Sequence, residues 1–171
     1  MIVGGVGGAN TQTGIKFEKD TDLRLALLSK DGITIDGHNV YSNGIHIGML
    51  LQKHELYRNF LEVKNVDWQS IVSKKLLPDE GYFSITSNKL VIIEKKFQQV
   101  AGSVDEKLQT CGFKKRQYEK LVQPLSGVKV EYVYVLNDWF TDKAYKDVLT
   151  YIEEVGCRYY FNVLPFDLLD I

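Results

Sequence analysis

Two acidic residues and a lysine, Asp79, Glu94 and Lys96, lie at the ends of a short predicted hairpin. The stretch that contains them reads PDEGYFSITSNKLVIIEKKFQ. Its LVII run has the β-branched composition of a central strand, and the SN dipeptide before it predicts a tight turn. Antiparallel pairing about that turn sets position 94 opposite about 81 and position 96 opposite about 79. Asp79 is therefore expected close to Glu94 and Lys96.

Carboxylates held this close repel each other, and a shared proton or a divalent cation relieves the repulsion. A neighbouring lysine favours the cation. Oxygen ligands from Asp79 and Glu94, with a strand carbonyl and waters, suit Mg²⁺, which prefers few protein ligands and a substrate phosphate. Lys96 would then hold an attacking water or neutralise charge on a phosphoryl oxygen.

A structural interpretation of the same residues stays open on spacing alone. In it Glu94, Lys95 and Lys96 are the solvated exit of a strand, and Asp79 is a turn residue after Pro78. The spacing E-x-K is short enough to occur by chance.

The order of these residues resembles a known motif. Pro78-Asp79 followed by Glu94-x-Lys96 on an apolar strand resembles the PD-(D/E)xK nuclease superfamily. The segments GGANTQTGIKFE and IIEKKFQQVAGSVDEKLQT resemble type II restriction endonucleases of that superfamily. The resemblance implies that Asp79 and Glu94 bind Mg²⁺ and that Lys96 is catalytic. It also implies that Glu18 matches a helical glutamate beside the metal site.

The function implied by this resemblance is Mg²⁺-dependent endonuclease cleavage of double-stranded DNA at a specific short sequence. A homodimer would supply one active site for each strand. The alternatives are a junction-resolving or repair nuclease with the same metal chemistry, and a catalytically silent module that binds DNA or a partner protein.

The whole chain has the size and composition of one globular domain, residues 1–171. It is 44% hydrophobic and 25% charged, which is enough for a central sheet covered by helices. A predicted strand at 128–136, a helix at 141–155 and a strand at 157–163 indicate a parallel crossover. We expect an α/β fold, a mixed central β-sheet flanked by helices, and the resemblance implies that it is restriction-endonuclease-like.

Charge is unevenly distributed along the chain. Residues 89–120 carry eight basic and four acidic side chains, a local charge of +4, whereas residues 131–171 carry three basic and eight acidic ones, a local charge of −5. A polyanion is therefore expected to approach the middle of the chain. Candidate DNA contacts are Gln98 and the basic residues Lys114, Lys115 and Arg116 of a helix predicted over 103–121. Alternatively, these basic residues form a solvated face of the helix and do not contact phosphates.

The N-terminal part predicts a helix that carries Glu18, capped by Thr11 or Thr13 and running to about Leu28. Further along, Asn43-Gly44 predicts a hairpin turn. The start of the chain lacks the pattern of a signal peptide, and no apolar run reaches membrane-spanning length, so a cytoplasmic protein is expected. The cysteines lack zinc spacing and are expected to be reduced core thiols.

Overall fold

The computed structural model describes residues 14–16, 21–100 and 104–171. The strands are β1 (Gly14–Lys16), β2 (Ile33–Asp36), β3 (Asn39–Ser42), β4 (Ile45–Leu50), β5 (Glu80–Ser84), β6 (Lys89–Lys96), β7 (Lys129–Leu136), β8 (Arg158–Phe161) and β9 (Val163–Pro165). The α-helices are α1 (Leu23–Leu28), α2 (Trp68–Ile71), α3 (Val104–Leu108), α4 (Cys111–Val122) and α5 (Lys146–Glu154). A π-helix covers Leu56–Leu61, and 3₁₀ turns cover Asp138–Thr141, Lys143–Tyr145 and Phe166–Leu169. None of the described helices has the length and apolar character needed to cross a membrane.

Seven strands form one mixed sheet in the order β2-β3-β4-β5-β6-β7-β8. Neighbouring strands from β2 to β6 are antiparallel, whereas β6, β7 and β8 are parallel. The expectation of an α/β fold with a mixed sheet flanked by helices is confirmed. The remaining described strands, β1 and β9, form a small antiparallel pair.

Strand β6 separates two hydrophobic clusters, because successive side chains of a strand point to opposite faces. Leu90 and Ile92 pack with the π-helix and α4, whereas Val91 and Ile93 pack with α1 and the C-terminal segment. All four side chains are fully buried. The apolar run recognised in the sequence is thus covered on both faces.

The parallel crossover through α5 is confirmed, but the helix begins later than predicted. Strands β7 and β8 pair in parallel from Val133↔Arg158 to Leu136↔Phe161. The predicted helix starts at residue 141, but α5 starts at Lys146, and Lys143–Tyr145 before it is a 3₁₀ turn. The Asp142 carboxylate accepts a hydrogen bond from the Ala144 amide at 2.8 Å, and this local bond competes with a continuous helix.

The N-terminal helix prediction was wrong at its start. Gly14–Lys16 is a strand paired with β9, and Ile15 on it is buried. Helix α1 begins only at Leu23, because the Asp22 carboxylate caps it by accepting a hydrogen bond from the Arg24 amide at 2.7 Å. Pairing with a strand distant in sequence outweighed local helix propensity, and the sequence pattern does not show this pairing.

The helix predicted over 103–121 is interrupted. It is described as α3 and α4, with Gln109 and Thr110 between them. The Thr110 hydroxyl donates to the Lys107 carbonyl at 2.7 Å, which gives the backbone an alternative to a continuous helix. Cys111 at the start of α4 and Cys157 before β8 are buried free thiols, as expected.

The hairpin turn between β5 and β6 is held by the C-terminal end of the chain. Asp170 accepts hydrogen bonds from the Ser87 hydroxyl at 2.6 Å and the Lys89 ammonium at 3.2 Å. Burial acts to raise the pKa of Asp170, but hydrogen bonds from Ser84, Ser87 and Lys89 outweigh it and hold that pKa below its usual value.

We predict that Asp170→Asn lowers the free energy of unfolding by about 1 kcal/mol at pH 7, a value reduced by solvent screening of a partly exposed group. Asparagine tolerates the left-handed backbone of this position, φ 58°. A lowered folded-state pKa stabilises the protein above the unfolded pKa of about 4, and this stability is lost as the pH falls through the folded pKa. The difference between wild type and variant should therefore shrink in acid.

Urea unfolding from pH 3 to pH 7 measures this difference. Asp167→Asn, an exposed position in the preceding 3₁₀ turn, is the matched control and should track wild type at every pH. A difference for Asp170→Asn that is independent of pH would contradict the role of the carboxylate.

Candidate active site

The hairpin brings Asp79 and Glu94 together through a register that differs from the predicted one by two residues. The turn occupies residues 85–88 instead of 87–88, and the ladder runs from Ser84↔Lys89 to Glu80↔Ile93. Continued by one residue, it sets Asp79 across from Glu94. A shift of two residues keeps every side chain on its original face, so Asp79 still lies close to Glu94 as predicted.

The ammonium of Lys96 lies where three oxygen atoms converge. Its Nζ is 2.9 Å from Glu94 Oε2, 3.2 Å from Asp79 Oδ2 and 3.1 Å from the Lys95 carbonyl oxygen. Asp79 Oδ2 also accepts a hydrogen bond from the Lys95 amide at 3.0 Å, which fixes the carboxylate against β6. The trio is therefore one connected cluster and not a solvated strand exit.

Burial strengthens these contacts. The side chains of Glu94 and Lys96 are 6% and 17% exposed, whereas that of Asp79 is 42% exposed. Burial acts to lower the pKa of Lys96, but the Glu94 and Asp79 carboxylates outweigh it and raise that pKa above its usual value. Lys96 is thus a cation at neutral pH, enclosed on one side and open to solvent beside Asp79.

Helix α4 contributes a second cation, Lys114, whose Nζ lies 3.4 Å from Glu94 Oε2. One oxygen of Glu94 therefore contacts two ammonium groups. Behind it lie the buried tyrosines Tyr118, Tyr132 and Tyr134, whose pKa values are raised chiefly by burial. They stay protonated near neutral pH and cannot act as bases there.

A second ion pair holds the opposite face of the same strands. The Lys95 ammonium contacts Glu80 Oε1 at 3.2 Å and also donates to the Thr21 carbonyl. Glu80 Oε1 accepts a further hydrogen bond from the Leu23 amide at the start of α1. These contacts fix the backbone of Lys95, which supplies both the amide bound to Asp79 and the carbonyl bound to Lys96.

The donor set fits a hard divalent cation. Among the described residues, no group of three or more His, Cys, Asp and Glu side chains could hold a metal ion. Mg²⁺, however, is commonly bound through one or two carboxylates, with waters and substrate phosphate completing its shell. Asp79, Glu94 and the Lys95 carbonyl already converge on one positive charge, so a cation binding to them would replace the contacts of the ammonium.

The other predicted site residues lie in different places. Glu18 is outside the described residues. Gln98 is 6% exposed, and its amide nitrogen donates to the Val100 carbonyl at 2.9 Å. Its main chain is bound to the Asn137 side chain in both directions, at 3.1 Å and 2.8 Å. Gln98 therefore ties the end of β6 to the end of β7.

The three basic residues of α4 do not share one surface. Lys114 contacts Glu94, as described above. The Lys115 ammonium donates to the Gly156 carbonyl at 2.7 Å and lies 3.8 Å from Glu119. Arg116 is exposed. Of the three, Lys114 is the one that reaches the candidate active site.

Sequence reasoning missed the contacts of Lys114 and Glu80. Lys114 is predicted as a DNA contact or as part of a solvated basic face, whereas α4 packs on β7, the neighbour of β6, and brings the Lys114 ammonium to Glu94. Glu80, next to Asp79, was not singled out. The alternation of the strand held the signal, because Glu80 and Lys95 must share the face opposite Glu94.

Comparisons with known proteins return no match: no family model matches the chain, and neither the curated proteins nor the solved structures contain a match. The family resemblance therefore depends on Asp79, Glu94, Lys96 and the flanking segments alone.

We predict that Lys114 and Glu94 are energetically coupled. In a double-mutant cycle of Lys114→Met and Glu94→Gln, the unfolding free energies should depart from additivity by about 0.5 to 3 kcal/mol, the range for residues in direct contact. Lys115→Met is the matched control, since Lys115 is bound to Gly156. Its effect should add to that of Glu94→Gln. Additivity in both cycles would show that α4 does not support the site.

Proposed function

We propose that this protein is a Mg²⁺-dependent endonuclease that hydrolyses phosphodiester bonds of DNA. The observation that carries the proposal is the convergence of Asp79 Oδ2, Glu94 Oε2 and the Lys95 carbonyl on the Lys96 ammonium. Two carboxylates and a lysine in contact, at the partly open end of the interior strand β6, have the chemistry that phosphoryl transfer requires.

Asp79, Glu94 and the Lys95 carbonyl would hold the ion. When bound, Mg²⁺ supplies Lewis acidity and makes a water a better nucleophile at neutral pH. The ion would displace the Lys96 ammonium from these oxygens, and Lys96 would then be a neighbouring positive charge suited to stabilise charge that develops on a phosphoryl oxygen. The Glu80–Lys95 pair positions the main chain that presents the carbonyl and does not contact the substrate.

In its full form, the proposal is a type II restriction endonuclease that cleaves double-stranded DNA at a specific short sequence in the cytoplasm. Support for it comes from the resemblance of segments of this chain, including those around Asp79 and Glu94, to type II restriction endonucleases. A homodimer belongs to this proposal, because one copy of the trio serves one strand at a time and a two-fold axis supplies the second copy. Glu18 stays a predicted fourth acidic residue of the site.

A junction-resolving or repair nuclease is the second candidate. A specific observation favours it, namely a cavity whose wall includes Glu94. A base stacked inside a duplex cannot enter such a cavity, whereas a nucleotide that has left the stack can.

We predict that Asp79→Ala and Glu94→Ala each abolish Mg²⁺-dependent cleavage and retain DNA binding in Ca²⁺, because both carboxylates serve the ion more than the scaffold. Cleavage of supercoiled plasmid in Mg²⁺ or EDTA measures activity, and a gel shift in Ca²⁺ measures binding. Glu154→Ala, at an exposed position of α5, is the control and should cut normally. Normal cutting by either site variant would refute the assignment. Discrete bands would favour a sequence-specific enzyme, and junction products the second candidate.

We predict that Lys96→Ala slows cleavage about 10²- to 10⁴-fold, the loss expected for one acid-base or electrostatic group. Single-turnover rates with saturating enzyme isolate the chemical step. Lys143→Ala, an exposed lysine of the acidic C-terminal part, should change the rate little. A rate for Lys96→Ala close to that of wild type would make Lys96 a purely structural ion-pair partner.

A further inference from the structure

A cavity of about 480 Å³ opens directly beside the candidate active site. One wall is the segment 72–77, which links α2 to β5, and the other is formed by α4 through Phe113, Lys114, Gln117 and Tyr118. Glu94 of the catalytic trio contributes to its lining. The volume lies within the range of small-ligand sites, about 300 to 1,000 Å³. Whatever occupies it lies next to the atoms proposed to hold the ion.

The charge of this cavity favours an anion. Three lysines line it, Lys74 and Lys75 from the linker and Lys114 from α4, against the single carboxylate of Glu94. That carboxylate is already in contact with Lys96 and Lys114. Lys75 also lies 3.8 Å from Glu62, so the three lysines face two carboxylates. The remaining positive charge beside the proposed scissile phosphate suits the sugar-phosphate chain on one side of that bond.

An aromatic ring stands at the same opening. Phe113 is 64% exposed although it is a large apolar side chain, and it lines the cavity with Leu77 and Gln117. An exposed ring next to lysines is the combination by which proteins bind unstacked bases, since every base has a face that can stack. The Gln117 amide can both donate and accept hydrogen bonds at a base edge.

The linker wall is held in place by contacts with the π-helix and with α2. The Tyr57 hydroxyl accepts a hydrogen bond from the Leu76 amide at 2.9 Å and lies 3.1 Å from the Leu76 carbonyl oxygen. The Lys75 ammonium lies over the rings of Tyr57 and Trp68, 4.8 Å and 4.5 Å from their centroids. The cavity is thus formed before a ligand arrives, which lowers the cost of binding.

We infer that this cavity receives one unpaired nucleotide of a DNA strand, next to the phosphate that the enzyme cuts, with its base stacked on Phe113. The inference rests on the proposed nuclease function for the identity of the polymer. A paired base cannot enter, because it is stacked between its neighbours inside the duplex. Of the two candidate functions, the inference therefore deepens the junction-resolving or repair nuclease, whose substrate already contains an unpaired nucleotide. A restriction endonuclease would first have to extrude one from continuous duplex.

Binding in EDTA tests this inference without any chemistry. The probes are two duplexes of equal length and sequence that carry 2-aminopurine, in one as a single unpaired nucleotide and in the other fully paired. Wild type should bind the unpaired probe about tenfold or more tightly, as expected for one stacked base. The fluorescence of 2-aminopurine should change on binding because the base stacks on a ring.

Variants of Phe113 test whether its ring causes the preference for the unpaired probe. Phe113→Ala should bind both probes with similar affinity, whereas Phe113→Trp should keep the preference because it keeps a stacking surface. Val63→Ala, at another exposed apolar side chain outside the cavity, should behave like wild type. Lys74→Ala should weaken binding of both probes alike and reduce the salt dependence, because phosphate contacts carry no preference for unpaired bases.

Three results would overturn the inference: equal affinity of wild type for both probes, a preference that persists in Phe113→Ala, or no binding of either probe. Cleavage in Mg²⁺ separates it from the proposed function. A clear binding preference without any cleavage would refute the nuclease and leave the nucleotide site. Cleavage that requires Asp79 and Glu94 but is equally fast with and without an unpaired nucleotide would support the nuclease and refute the nucleotide site.

Discussion

The contact of the Lys96 ammonium with three oxygens is the constraint on which the candidate site depends. Glu94 is almost fully buried, and an unpaired carboxylate at that depth would be very costly. Lys96 and Lys114 offset its charge, and Asp79 Oδ2, held by the Lys95 amide, completes the cluster. Removal of Lys96 or Lys114 leaves the charge of Glu94 less compensated in a low dielectric, so these contacts hold the carboxylate in place for the proposed chemistry.

Strand β6 contributes residues both to the hydrophobic core and to the candidate site. Its centre is apolar on both faces, and its last three residues are charged and alternate between the faces. Lys95 on one face contacts Glu80 near the start of α1, while Glu94 and Lys96 on the other face lie beside Asp79. A strand fixed by packing and by parallel pairing with β7 holds its side chains more rigidly than a loop could. The main chain of Lys95 connects the two faces.

Much of this arrangement could be predicted from the sequence, because local patterns govern it. The LVII run, the alternation after it and the crossover to β8 gave the mixed sheet and the meeting of Asp79 with Glu94 and Lys96. The hairpin register was wrong by two residues because the turn is longer than the dipeptide signal. The pairing of Gly14–Lys16 with β9, the break before α4 and the contact of Lys114 with Glu94 depend on tertiary packing, which single-residue patterns do not encode. The fold is α/β, and its relation to restriction endonucleases belongs to the proposal.

The proposed function requires that the oxygens around Lys96 form a divalent-cation site. Anomalous diffraction from crystals soaked in Mn²⁺ tests it most directly, since the signal locates the metal without reference to activity. We expect a peak in contact with the Asp79 and Glu94 carboxylates and the Lys95 carbonyl, and a Lys96 ammonium moved away from these oxygens. If Lys96 stays in contact with these oxygens, and the anomalous map has no peak or has a peak elsewhere on the protein, the divalent-cation site is refuted.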